Sequence, residues 1–155
     1  GAGRTWCRGS SRSQAHSSLG PVTELPDWLA ACRSPLIETM GFTLTEITPE
    51  RCAGVCPVDG NTQPAGFWHG GASCVMAETL GSMAAYAEVG EGGMVFGVDI
   101  NATHHRAVRS GSVHGVATPL FVGGTTASYD VVLTDDDGRR ICTARLTCAL
   151  RRPRR

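Results

Sequence analysis

From residue 68 to residue 87 the chain is almost uncharged, and its one carboxylate, Glu78, stands in the middle of the run. Ala, Met, Leu and Cys favour a helix there, and the lack of a polar stripe predicts a helix enclosed by other elements. Ahead of it the period is two: Phe42, Leu44 and Glu46 alternate with Thr43, Thr45 and Ile47, and Cys52, Gly54 and Cys56 with Ala53 and Val55. These positions predict a hairpin, with strands over about 42–48 and 51–58 and a turn at Thr48-Pro49-Glu50. A turn-rich loop over about 59–66 leads into the helix. After a glycine-rich turn at 90–93, extended segments are expected over about 94–104, 111–121, 124–134 and 139–149. Gly123-Gly124 and Asp136-Asp137-Gly138 separate the last three as an antiparallel meander. Near the amino end, Asp27 sits at the start of a short helix, and Pro35 either interrupts it or begins a second turn. The order strand, strand, long helix, four strands predicts an α+β domain whose curved antiparallel sheet wraps around one long central helix.

Chain length adds that one core is the natural outcome for 155 residues. Residues 1–22 lack periodicity and are expected to form a flexible arm, with a single domain over 23–150 and a basic tail at 151–155. Fourteen basic and fourteen acidic side chains cancel, and the nine aromatic residues are not interleaved with a basic patch. That balance argues against nucleic acid and anionic membrane as partners. Seven cysteines are an odd number with scattered spacing, which reads as buried thiols in a reducing compartment. Cys52 and Cys56, about 13 Å apart along a strand, are too far apart to share one metal ion. Without a long apolar run or a cleavable leader pattern, a cytoplasmic protein is expected.

Candidate chemistry gathers on the helix and the strand that follows. A carboxylate in an apolar helix is costly unless it is hydrogen-bonded, paired or used chemically. Glu78 and Ser82, at i and i+4, share a face, where a carboxylate can act as nucleophile or general base beside a hydroxyl. The plainer alternatives are a structural carboxylate and a hydroxyl bonded to its own helix. His69-Gly70-Gly71 opens the helix and leaves main-chain N–H groups free to stabilise negative charge on an oxygen, or merely allows a tight entry. Gln63, in the loop before it, either donates its amide to a carbonyl or is solvated. His69 and Glu78 are nine residues apart, about 13.5 Å along a helix, so they cannot meet at one reacting carbon within one helix. If both are catalytic, a two-fold dimer with shared sites follows. Asn101-Ala102-Thr103-His104-His105-Arg106 ends a strand, with His104 and Arg106 expected on one side and His105 on the other. Metal-ligand spacing is absent, so no metal is expected. Arg106, Arg109 and His104 suit phosphate contact, or a solvated strand end.

Gln63-Pro64-Ala65-Gly66-Phe67-Trp68-His69-Gly70-Gly71-Ala72, followed by Ala77-Glu78-Thr79-Leu80-Gly81-Ser82-Met83, resembles the hotdog-fold acyl-CoA thioesterases. Within them the chain is most similar to the branch acting on aromatic acyl thioesters, the enterobactin proofreading, 1,4-dihydroxy-2-naphthoyl-CoA and 4-hydroxybenzoyl-CoA thioesterases. Val98-Asp99-Ile100-Asn101-Ala102-Thr103-His104-His105-Arg106 and Asp137-Gly138-Arg139-Arg140-Ile141-Cys142 extend the likeness over about residues 36–150. The resemblance implies hydrolysis of an aromatic acyl-CoA, with acyl-carrier-protein thioesters as a second substrate class, and no cofactor beyond the coenzyme A of the substrate. It implies Glu78 as nucleophile or base, Gly70 N–H and Gln63 polarising the thioester carbonyl, His69 supporting them and Ser82 assisting. The strand end His104-His105-Arg106 is implied near coenzyme A, Arg109 joins it as a phosphate contact on the chemistry of its guanidinium, and Trp68 and Met83 are expected to border the acyl pocket. Trp68 and Ala65 depart from the family pattern there, which implies a reshaped pocket. Homodimers with shared sites, paired into tetramers, are implied as well. The rival readings are a non-catalytic acyl-thioester binding protein and a dehydratase of the same fold.

Overall fold

The computed structural model describes residues 27–30 and 34–153. Two short helices come first, α1 (Asp27–Ala30) and α2 (Pro35–Met40). Proline at the first helical position starts α2, because its missing N–H has no helical acceptor there in any case. Gly41 ends it in the left-handed region (φ 69°), donating back to the carbonyls of Glu38 and Ile37. The hairpin of β1 (Thr43–Ile47) and β2 (Cys52–Pro57) follows, then α3 (Gly70–Val89), then β3 (Met94–His104), β4 (Ser112–Val122), β5 (Thr126–Thr134) and β6 (Arg140–Arg151). The six strands make one antiparallel sheet in the order β1-β2-β4-β5-β6-β3. The meander expected of the last three strands is β4-β5-β6. The strand β3 returns to pair with β6 and becomes an edge.

Strict alternation in the first strand does not survive. A register shift between Leu44 and Glu46 inserts one residue, so Phe42 and Ile47 both reach the core although they lie on opposite faces of an ideal strand.

The sheet does not wrap around α3, and the expectation of a sheet closed about a central helix is corrected. Its outer strands β1 and β3 do not pair with each other, so the sheet is open, and α3 packs on one face of it. Ala72, Ser73, Met76, Ala77, Leu80, Gly81, Ala84 and Ala85 form the buried half of the helix. Cys74, Val75, Glu78, Thr79, Ser82, Met83, Tyr86 and Ala87 run along the other half and are only partly buried. The physical reason is geometric: an open sheet covers one side of a cylinder, and an apolar far side requires cover from elsewhere or remains half-exposed. On the covered side the approach is close. A methyl on Gly81 would come within 2.6 Å of Leu146 Cδ2, and one on Gly115 within 2.5 Å of Leu80 Cδ1. Met76 and Leu80 are fully buried in that seam, each worth about 1.5–3 kcal/mol relative to exposure.

The expected arm at 1–22, with Cys7, and also Cys32, lie outside the described residues. The other five cysteines are free thiols, four of them buried. Burial pushes Cys52 up to about 12, against the nearby charge of Arg51, and Cys56 up to about 11, so these thiols are neutral at ordinary pH. Among the described residues no helix is long and apolar enough to cross a membrane. In the basic tail, Arg152 pairs with Glu88 at 2.8 Å.

Candidate active site

The amino end of α3 is built by the loop that precedes it. Gln63 N–H donates to the Phe67 carbonyl and Gly66 N–H to the Gln63 carbonyl, both at 2.8 Å, closing a tight loop with Gly66 at φ 78°. The Gln63 side-chain oxygen accepts the N–H of Ala65 at 2.7 Å. Its NH2 group has no hydrogen-bond acceptor among the described residues and keeps its donors to offer. Trp68 N–H donates to Val108 and His69 N–H to Asn61, which anchors the entry to the helix. His69 is the N-cap: its Nδ1 accepts the N–H of Gly71 at 2.8 Å. Its ring is thus committed to holding the helix end. The N–H of Gly70, the first helical residue, has no hydrogen-bond acceptor among the described residues.

Gln63, Trp68 and Gly70, but not His69, border a cavity of about 400 Å³, a volume suited to a small organic group. Gln63, Gly70, His104, His105 and Arg106 supply its polar wall, and Phe67, Trp68 and Ile141 much of its apolar wall. Trp68 is buried, with its indole N–H donating to Ser73 Oγ at 2.7 Å. His104 lies directly over Gly70, where any side chain would come within 2.8 Å of Nε2. A side chain at position 70 would have to push the exposed His104 ring aside.

Alternation does not place the two histidines on opposite sides of the site. The strand β3 ends at His104, and the N–H groups of His105 and Arg106 both reach the Ile141 carbonyl, at 2.8 and 3.3 Å. The chain turns there, so His104, His105 and Arg106 all line the cavity. His105 Nε2 is 2.9 Å from Thr143 Oγ1. Arg106 is exposed and has no side-chain partner among the described residues. Arg109 stands apart from the cavity wall: it stacks on Phe67, 3.8 Å from the ring centre, and reaches the Ala65 carbonyl at 3.5 Å. It braces the Gln63 loop.

Glu78, Ser82 and Met83 do not line this cavity. They lie further along the half-buried stripe of α3, where Glu78 reaches over Gly97 of β3. Beside it is Cys148 of β6, whose thiol burial pushes up to about 11, against a hydrogen bond with Ser82 and with the Glu78 charge adding to the rise. Sequence reasoning missed Phe67, Ser73, Ala107 and Ile141 in the wall of the cavity, and Gly97 and Cys148 under Glu78. An aromatic residue beside Trp68 was a usable signal for Phe67. Nothing local distinguishes the others.

Residues 65–142 match the thioesterase superfamily. That segment begins inside the cavity loop, after Gln63, and spans all of α3 and the turn at His104-His105-Arg106. The proofreading thioesterase EntH of Cronobacter turicensis is 45% identical over 116 residues, covering 74% of this chain and 85% of the relative. The chain belongs to the thioesterase superfamily. EntH of Klebsiella pneumoniae is similar at 43% identity over 122 residues, 78% of this chain and 89% of that protein. Among solved structures, a glutamine-to-alanine mutant thioesterase from Pseudomonas aeruginosa superposes with a TM-score of 0.77 at 38% identity, covering 86% of this chain and 99% of that one. The fold of this thioesterase is accordingly of the hotdog superfamily, with an open sheet. Its activity is thioester hydrolysis.

Proposed function

We propose that this thioesterase hydrolyses acyl-CoA thioesters with an aromatic acyl group, at a site shared between two subunits. The observation that carries the reading is the convergence of two unclaimed donors, Gly70 N–H and the Gln63 NH2, on one cavity at the positive end of a 20-residue helix. They suit a thioester carbonyl oxygen, which gains negative charge as its carbon becomes tetrahedral. Phe67 and Trp68 offer a flat acyl group aromatic neighbours, and Arg106 offers a free guanidinium for the phosphates of coenzyme A. His69 supports the donors by holding the helix end, and Arg109 by bracing the loop of Gln63. The name of the EntH relatives, proofreading thioesterases, fits a role in removing acyl groups from thiols. Acyl-carrier-protein thioesters are a second substrate class for the same chemistry.

Glu78 supplies the base or nucleophile. It removes a proton from water as the water oxygen bonds to the carbonyl carbon, or it forms that bond itself and the resulting anhydride is hydrolysed. In either case the C–S bond breaks and the thiolate leaves to be protonated. Gly70 and Glu78 are eight residues apart on one helix, about 12 Å, and the cavity does not reach Glu78. The site is completed by Glu78 and Ser82 of the partner subunit, with Met83 beside them at the acyl end. A two-fold axis makes two such sites, and two dimers pair into a tetramer. Glu78→Gln is expected to lower kcat on benzoyl-CoA by about 10²–10⁴-fold, followed by thiol release, with assembly unchanged by sedimentation. Turnover at the parent rate would remove Glu78 from the mechanism.

A further inference from the structure

Gly97 lies in β3 and is absent from the residues with positive φ, so no left-handed backbone calls for glycine there. A methyl group built on it would overlap Glu78 Oε1, lie 2.9 Å from Glu78 Cδ and 3.4 Å from Oε2. Those three atoms are the nearest neighbours, and all belong to one carboxylate. The rung is defined from below as well. Gly97 pairs with Cys148 of β6, a fully buried residue whose thiol meets Ser82, and the register of β3 shifts between Gly97 and Asp99. Directly opposed residues of an antiparallel pair point to the same face. Gly97 and Cys148 therefore face α3 together, one beneath Glu78 and the other beneath Ser82.

We propose that Gly97 is a positioning residue for thioester hydrolysis: its missing side chain leaves the seat on β3 in which the Glu78 carboxylate rests. The proposal depends on Glu78 being the reactive carboxylate. Because a carboxylate is the mobile end of a flexible side chain, alanine at 97 displaces it without disturbing the backbone. The fold tolerates the change, and the chemistry does not: a misplacement of about 1 Å costs on the order of 10²-fold in rate.

The test compares Gly97→Ala with the parent on benzoyl-CoA by thiol release, alongside thermal unfolding. The expected result is a fall of about 10²-fold in kcat with KM within about twofold and an unchanged Tm. Shortening the carboxylate by one methylene clears the added methyl, so Glu78→Asp is expected to cost much less in the Gly97→Ala background than in the parent. A G97A enzyme with parental kcat, while E78Q is inactive, would overturn the seat and leave Glu78 in place. A fully active E78Q would instead overturn the reading of Glu78, and the seat with it. If G97A loses stability, the Glu78→Ala background decides: with the carboxylate gone, Gly97→Ala should leave Tm where E78A puts it. A loss of Tm that persists there would show that strand packing excludes the methyl, and would overturn the proposal.

Discussion

The amino end of α3 and its middle make opposite contributions. At the amino end a cavity, a cap and an unclaimed N–H come together, with aromatic and apolar walls, but no carboxylate lines it. Two turns further on, Glu78 and Ser82 lie half-buried over β3 and β6, outside the wall of that cavity. One region is equipped to bind a carbonyl and steady negative charge; the other holds a group able to take a proton. The helix holds the two regions about 12 Å apart, so the proposed site, which uses both, has to draw one of them from a second helix.

The sharpest way to break this comparison is to damage each region in a different subunit. Q63A and E78Q homodimers should both be nearly inactive on benzoyl-CoA. A heterodimer of the two, purified through two different tags, retains one intact site and should regain about half the parental turnover. Failure to regain any activity would place both regions of each site in the same chain. Alone, Gln63→Ala removes one of the two proposed carbonyl donors and should lower kcat by about 10²-fold, with the unfolding temperature preserved. A change in KM alone would make Gln63 a binding residue.

A smaller effect should separate the two regions by pH. The turn before β6 is held by Asp135, which is buried and accepts the N–H groups of Asp137 and Arg139 and the Arg139 guanidinium at 2.8 Å. Burial opposes ionisation of this carboxyl, but those donors prevail and hold it below its ordinary value. A group with a lowered folded value contributes stability above its unfolded value and loses it as pH falls through the folded one. Asp135→Asn should therefore lower Tm at pH 7, and the gap should close on the acid side of the ordinary carboxylate range. Because Ile141 follows this turn and anchors His105 and Arg106, the variant should loosen the cavity end while Glu78 and Gly97 remain in contact. A gap that stays constant with pH would remove the charge of Asp135 from the account.

Much of this arrangement was legible in the chain. The uncharged run around Glu78 predicted α3, whose observed span is Gly70–Val89, and the four extended segments after it correspond to β3, β4, β5 and β6. Local propensity and turn residues carry that information, since each acts over a few positions. The shared side of His104 and His105 escaped because alternation holds only while strand geometry lasts, and it ends at His104. Phe42 and Ile47 escaped through a bulge, which no period of two anticipates.

By itself, the sequence determined the helix, the succession of strands along the chain, the glycines at the helix entry and the placement of one carboxylate in an apolar run. Only the tertiary structure decided that the sheet is open and α3 lies on one face of it. It alone brought Ile141 to the cavity, and Gly97 and Cys148 beneath Glu78 and Ser82. The reason is range. Helix and strand tendencies are set by neighbours along the chain, whereas the seat of Glu78 depends on the pairing of β3 with β6, segments about fifty residues apart, and on the register that matches Gly97 to Cys148.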